Sequence, residues 1–161
     1  MYCLTILKGG FPPTNTNFNI FTLYKSWTKK RPYEGYFTKH RKFSKPAWEH
    51  VNGNTEYFCE GIPYRILKKE DSTEIVVLCL GNSETLHSIE DNPSVIYNNG
   101  TKEWHFYGSL NRDEFPAIEY ANGDKEYWNL GRRHREDGPA IIYGNKKYWF
   151  ENGKFAKHET I

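Results

Sequence analysis

Proline recurs at a fixed interval in the second half of this chain, and that interval dictates what it can fold into. Pro93, Pro116 and Pro139 are 23 residues apart. Each opens a similar tetrapeptide: Ser94-Val95-Ile96-Tyr97, Ala117-Ile118-Glu119-Tyr120 and Ala140-Ile141-Ile142-Tyr143. Upstream, Pro46-Ala47-Trp48-Glu49-His50-Val51-Asn52-Gly53 reads in step with Pro116-Ala117-Ile118-Glu119-Tyr120-Ala121-Asn122-Gly123. A period of about 20–50 residues marks a repeat architecture, whose units bury their apolar faces by stacking on one another. Residues repeated as a set are scaffold before they are active site.

The unit reads as a β-hairpin with a return loop. In Pro116 to Gly138, residues 117–120 form one strand and 125–130 a second. Asn122-Gly123 between them suits a type I′ turn, which needs positive φ at both central residues. Gly131-Arg132-Arg133-His134-Arg135-Glu136-Asp137-Gly138 is a polar return, and Pro139 opens the next strand, where no ladder donor is needed. Aromatic residues make up 17% of the chain, with 12 Tyr, 10 Phe and 5 Trp. That composition favours strands and a core built from rings.

Pairing Tyr120 with Lys125 sets Ile118 opposite Tyr127 and Ala117 opposite Trp128. Opposed residues share a face. One face then collects Trp48, His50 and Tyr57, followed by Val95, Tyr97 and Trp104, by Ile118, Tyr120 and Tyr127, and by Ile141, Tyr143 and Tyr148; this is the expected core. The other face carries one aromatic slot per unit (Phe58, His105, Trp128, Trp149) among Glu56, Glu103, Glu126 and Lys147. In the last copy, Tyr143 reaches Trp149 in two fewer steps than Tyr120 reaches Trp128. A two-residue loss keeps side chains on their faces, with Tyr143 opposite Lys146, Ile141 opposite Tyr148 and Ala140 opposite Trp149.

The expected fold is therefore all-β: an antiparallel meander of repeated hairpins forming a curved, elongated sheet. Residues 1–45 form a basic N-terminal cap. Its first 13 residues are extended, and it holds a degenerate hairpin with strands at 18–24 and 33–37. The array follows as 46–65, 66–92, 93–115, 116–138 and 139–161. The 66–92 copy is degenerate, and its run Ile75-Val76-Val77-Leu78-Cys79-Leu80 reads as a strand buried on both faces. Atypical terminal copies are what an array requires.

Alignment of the copies filters the candidate sites. His40, His87, His134 and His158 fall in return loops and read as structural hydrogen-bond residues. His50 takes a core tyrosine slot. Arg112 and Arg135 share a slot and are expected to pair with the adjacent acids, Asp113-Glu114 and Glu136-Asp137. Those acids belong to turn chemistry rather than to an acid–base pair. Cys59 aligns with Phe106 and Asn129, a slot of varied residues, which argues against a nucleophile. No HxH or HExxH spacing indicates a metal, and no phosphate-cradling glycine motif is present. Neither a cofactor nor catalysis is expected.

The segments Tyr127-Trp128-Asn129-Leu130-Gly131-Arg132-Arg133-His134 and Tyr148-Trp149-Phe150-Glu151-Asn152-Gly153-Lys154 resemble MORN repeats, a family of roughly 23-residue hairpin units. The loop His134-Arg135-Glu136-Asp137-Gly138-Pro139-Ala140 looks like the variant found in repeat proteins of large DNA viruses and phages. The resemblance is clear over 93–161, fair over 46–65 and weak elsewhere. The usual second glycine of the return is replaced here by Asp-Gly-Pro. The resemblance implies a docking surface rather than an enzyme, and its viral or phage context implies an inhibitor of a host defence protein.

Unit-specific residues are the candidates for such contact: Phe58, His105, Trp128 and Trp149 of the aromatic row, and Arg132 and Arg133, where the preceding copy has Ser109 and Leu110. Charge adds a second region. Residues 1–65 hold 10 Lys and Arg against 4 Asp and Glu, a net +6, while residues 66–161 hold 12 against 16, a net −4. Lys29, Lys30, Arg31, Lys39, Arg41 and Lys42 are candidates for an anion or an acidic partner. The alternative function is capture of a nucleotide or a phosphorylated or lipid headgroup between these cations and the aromatic row. Nucleic-acid readout motifs are absent. Self-association through sheet edges is a further expectation. Three cysteines without a CxxC pair suit a reducing cytoplasm, and no run is long enough to span a membrane.

Overall fold

The computed structural model describes residues 41–49 and 55–161 throughout, and the backbone of residues 2–9, 22–30, 37–39 and 50. Every regular element among them is a β-strand, and all pairings are antiparallel. Among the described residues no helix is long and apolar enough to cross a membrane. The chain divides into two compact units, Met1–Tyr64 and Arg65–Ile161.

In the first unit, β1 (Tyr2–Gly9) pairs with β2 (Thr22–Lys30) along its whole length. The opening residues, expected to be merely extended, are thus a full strand. β2 also pairs with β3 (Phe37–Lys39) and β4 (Trp48–His50). The strand expected at 18–24 begins at Thr22 and continues to Lys30, and the one expected at 33–37 is described only from Phe37. β5 (Thr55–Cys59) follows β4 with Trp48 opposite Glu56. It then turns through Glu60-Gly61 into β6 (Ile62–Lys69).

The second unit carries the repeats. β7 (Ser72–Leu80) holds four consecutive buried residues, Ile75 to Leu78, but the run expected to be buried through Leu80 ends there, with Cys79 half-buried and Leu80 exposed. Its first half pairs with β9 (Val95–Tyr97) and its second half folds back on β8 (Ser83–Leu86). The sheet continues through β10 (Lys102–Glu103), β13 (Ile118–Glu119), β14 (Lys125–Glu126), β17 (Ile141–Tyr143), β18 (Lys146–Glu151) and β19 (Lys154–Thr160). Between them stand two small hairpins, β11 (His105–Phe106) with β12 (Ser109–Leu110), and β15 (Trp128–Asn129) with β16 (Arg132–Arg133).

Each unit is therefore two hairpins, not one hairpin with a polar return. The ladder switches at Trp104 and Tyr127, whose N–H groups donate to the carbonyls of Ala117 and Ala140 in the next copy. The residue after each repeat proline is pinched there: Ala47, Ser94, Ala117 and Ala140 are fully buried, so a larger side chain has no room.

The first hairpin's register differs from expectation. Ile118 opposes Glu126 and Glu119 opposes Lys125, one residue off the expected alignment. Val95 opposes Glu103 in the same way. Asn122-Gly123 is not a type I′ turn. Of the two, only Gly123 (φ 92°) is left-handed, its N–H donates to the Tyr120 carbonyl, and Tyr120 N–H donates to the Asp124 carbonyl. This is a type I turn closed by a bulge, which consumes one extra residue. The last copy replaces it with the two-residue turn Gly144-Asn145, so the pairs Tyr143–Lys146 and Ile141–Tyr148 occur as expected. The copy is one residue shorter here, not two, and Tyr148 rather than the expected Lys147 occupies the slot of Glu126.

The face expected to hold Ile118, Tyr120 and Tyr127 instead holds Ile118, Tyr120 and Glu126. Along it runs the row Ile75, Val95, Glu103, Ile118, Glu126, Ile141 and Tyr148, each opposite the next across adjoining strands. Each buried Val or Ile of this row contributes about 2 kcal/mol. Outward-facing Lys102 and Lys125 flank Glu119 from both sides, a favourable cross-strand pairing.

Candidate functional site

The second hairpins supply the true type I′ turns. Tyr107-Gly108 (φ 44° and 82°), Leu130-Gly131 (44° and 77°) and Asn152-Gly153 (49° and 82°) have both central residues left-handed. The N–H groups of each turn are held by the preceding copy. Those of Gly108, Gly131 and Gly153 donate to the carbonyls of Leu86, Leu110 and Arg133. Those of Tyr107, Leu130 and Asn152 donate to His87 Nδ1, Asn111 Oδ1 and His134 Nδ1. His87 and His134 are structural hydrogen-bond acceptors, as their repeated position suggests. His158 is not in a loop; it lies in β19, stacked on Tyr148.

Clamped in this way, the turns present apolar side chains to solvent: Phe106 and Tyr107 are about half exposed and Leu130 is 61% exposed. Phe106 and Tyr107 pack edge to face at 4.8 Å, and His87 sits against both rings. Arg132 is exposed and lies beside Gly153. Neither Phe106, Tyr107 nor Leu130 was singled out by sequence. Their slots vary between copies, and variation in a scaffold slot was the available signal.

The return loops form a second feature. Arg112 Nε and Nη2 donate to the two carboxylate oxygens of Asp91 at 2.8 Å each, and Nη1 reaches Glu119 at 3.1 Å and the Pro116 carbonyl at 3.3 Å. Its acid partners thus lie in the preceding copy and the following strand, not in the adjacent Asp113-Glu114 as expected. The bond from Arg112 holds the Asp91 carboxyl below its ordinary value. Arg41 repeats part of the motif, bonding the Pro46 carbonyl and Glu49. A groove of about 530 Å³ opens between loop 112–115 and loop 134–137, beside Tyr127 and Trp128.

The third feature is a polar cluster on the apolar face. Glu126, 2% exposed, accepts hydrogen bonds from the hydroxyls of Tyr120 (2.8 Å) and Tyr143, from Trp128 Nε1 (3.0 Å) and from Arg133 Nε (3.3 Å). Burial pushes its carboxyl up, but the tyrosine hydroxyls and the Arg133 charge outweigh that, and it sits below its ordinary value. Glu103, one copy earlier, is pushed up by burial, an effect that Tyr97 opposes and the charge of Glu126 reinforces.

The expected aromatic row is only partly open. Phe58 and His105 are each 7% exposed, while Trp128 and Trp149 are half-buried. Phe58 and His105 are therefore core residues rather than surface anchors: the one-residue shift of register turns them inward. Trp128 stacks under the Arg133 guanidinium and Trp149 lies near Lys157 Nζ. Arg133 is tied into the Glu126 cluster, which leaves Arg132 as the surface member of that pair. Of the basic candidates, Arg41 is engaged with Glu49 and Lys42 is exposed. The side chains of Lys29, Lys30 and Lys39, and Arg31 entirely, lie outside the described residues.

Comparison of the chain with protein-family models, curated proteins and solved structures gave no match.

Proposed function

We propose that this protein is a non-catalytic docking module whose contact surface is the edge formed by the type I′ turns, centred on Phe106, Tyr107, Leu130 and Arg132. One observation carries the reading: Tyr107 and Leu130 are large, exposed and left-handed at once. A left-handed backbone costs a residue with a side chain about 1–2 kcal/mol, least for Asn and Asp. Asn152 occupies the same position in the last copy. Folding alone favours Asn at positions 107 and 130. Bulky residues held at a strained surface position point to contact with another molecule. Tyrosine and arginine side chains are frequent anchors of protein interfaces. The viral or phage context of the resemblance makes a host protein the proposed partner.

The test separates stability from binding. Leu130→Asn should raise thermal stability by about 0.5–1 kcal/mol, since the left-handed strain is relieved and little packing is lost. The same substitution, combined with Tyr107→Asn, should abolish capture of any partner bound saturably by the wild type. A variant that is more stable and binds unchanged would overturn this assignment of the surface.

A further inference from the structure

Repetition supplies an internal control for Arg135. Its counterpart Arg112, one period earlier, is saturated: the Asp91 carboxylate fills the Nε–Nη2 fork, Glu119 and the Pro116 carbonyl take Nη1, and the guanidinium lies 3.7 Å from the Trp104 ring centre and 5.1 Å from that of Phe115. Arg135 keeps only the framework contacts, the Pro139 carbonyl at 3.5 Å and the Tyr127 ring at 4.0 Å. The other three are replaced. Ile142 stands where Glu119 stood, and Gly138 stands where Phe115 stood. Glu114 takes the place of Asp91, yet among the described residues no carboxylate bonds to Arg135. The absence of a side chain at Gly138 leaves the guanidinium room: a Cβ there would lie 3.3 Å from Cζ and Nη1. This fork opens beside the groove between the two return loops.

We propose that Arg135 is a docking point for an acidic side chain of a bound polypeptide. Its carboxylate takes the position that Asp91 holds against Arg112, and a neighbouring aromatic ring covers the guanidinium where Phe115 does so one copy earlier. An arginine fork and a carboxylate match through two parallel hydrogen bonds. Asp113, Glu114, Glu136 and Asp137 around the groove repel a bare anion. The recognised acid therefore comes flanked by a basic residue, which selects a mixed-charge peptide over free phosphate.

The test is an NMR titration of the full labelled chain, following the Arg135 Nε–H and Trp128 Nε1–H signals. The probes are the peptide acetyl-Lys-Asp-Phe-Lys-amide, its counterpart with Asn for Asp, and inorganic phosphate. Saturable shifts are expected with the Asp peptide, weakened at least about tenfold by the Asn replacement or by Arg135→Lys, because an ammonium cannot reproduce the planar fork. Gly138→Phe, which installs the ring of the preceding copy, should block the site without removing the arginine. Leu130→Asn should leave the titration unchanged, so this site and the turn-edge surface can fail separately. No saturation with the Asp peptide, an equal response to the Asn peptide, or tighter binding of phosphate would each overturn the proposal.

Discussion

Two buried titratable side chains sit one residue out of the expected alignment, and they set how the protein responds to acid. His105 Nδ1 lies 2.8 Å from Ser94 Oγ, and burial lowers the imidazole from 6.5 to about 4. It is neutral at neutral pH, so Glu103 at 3.8 Å is not an ion-pair partner there. Between about 4 and 6.5 the folded state binds fewer protons at His105 than the unfolded chain does. That contribution to stability is complete above 6.5 and is lost as the pH falls toward 4. Glu126, held below its ordinary 4.5, adds to the loss below that value. Glu103 has the opposite sign: burial makes its ionisation unfavourable, so it costs stability as the pH rises through and beyond 4.5. Thermal melts should show stability declining from pH 6.5 downward. His105→Gln should be less stable at neutral pH and decline less steeply across that window, where His87, also lowered by burial, still contributes. A wild-type profile flat from 6.5 to 4 would show that His105 protonates without cost in the fold.

At the level of the hairpin, the repeat's period, its strand content and the buried run at Ile75 to Leu78 were legible in the sequence. The register was not. Tyr127-Trp128 and Tyr148-Trp149 look like copies, yet Glu126 and Tyr148 occupy equivalent positions opposite Ile118 and Ile141. A glutamate in a buried row contradicts local patterning. It is tolerated because Tyr143, from the next copy, and Arg133 bring donors to it. That information is not local to the strand. The turn types were likewise misplaced, since Asn-Gly is the stronger I′ signal in isolation and Leu130-Gly131 is the pair that adopts it. Two glycines separate backbone cost from packing cost. Gly123 is left-handed with open space around a built Cβ, whereas at Gly108 that atom would lie 3.0 Å from Thr85 Oγ1. Gly123→Ala should lose about 1 kcal/mol from its φ alone, and Gly108→Ala about 2 kcal/mol once Thr85 must also move. Denaturant midpoints give the comparison, and equal losses would mean that Thr85 yields freely.

Across the unit Arg65–Ile161, each copy bonds chiefly to its neighbours, so stability should behave as a sum of copies and junctions. Removal of residues 116–138 is the sharpest test, because the copies on either side carry matching edges. Glu103, now opposite Ile118, would meet Ile141, which Glu126 meets at present. Asn152 and Gly153 would offer their N–H groups to Asn111 and the Leu110 carbonyl, the acceptors that Leu130 and Gly131 use. Tyr143 would find Glu103 in place of Glu126. Arg112 would keep Asp91 and Trp104 but lose Glu119, since Ile142 takes that position. The 23-residue deletion should therefore still fold cooperatively, at a lower melting temperature. Deletion of residues 116–138 together with Ala140 moves Ile141 into the pinched slot after the proline, which has no room for it, and turns the downstream row to the wrong face. It should lose the dispersed amide spectrum and the cooperative melt. If both deletions melt alike, junctions between neighbouring copies do not govern the stability of the array.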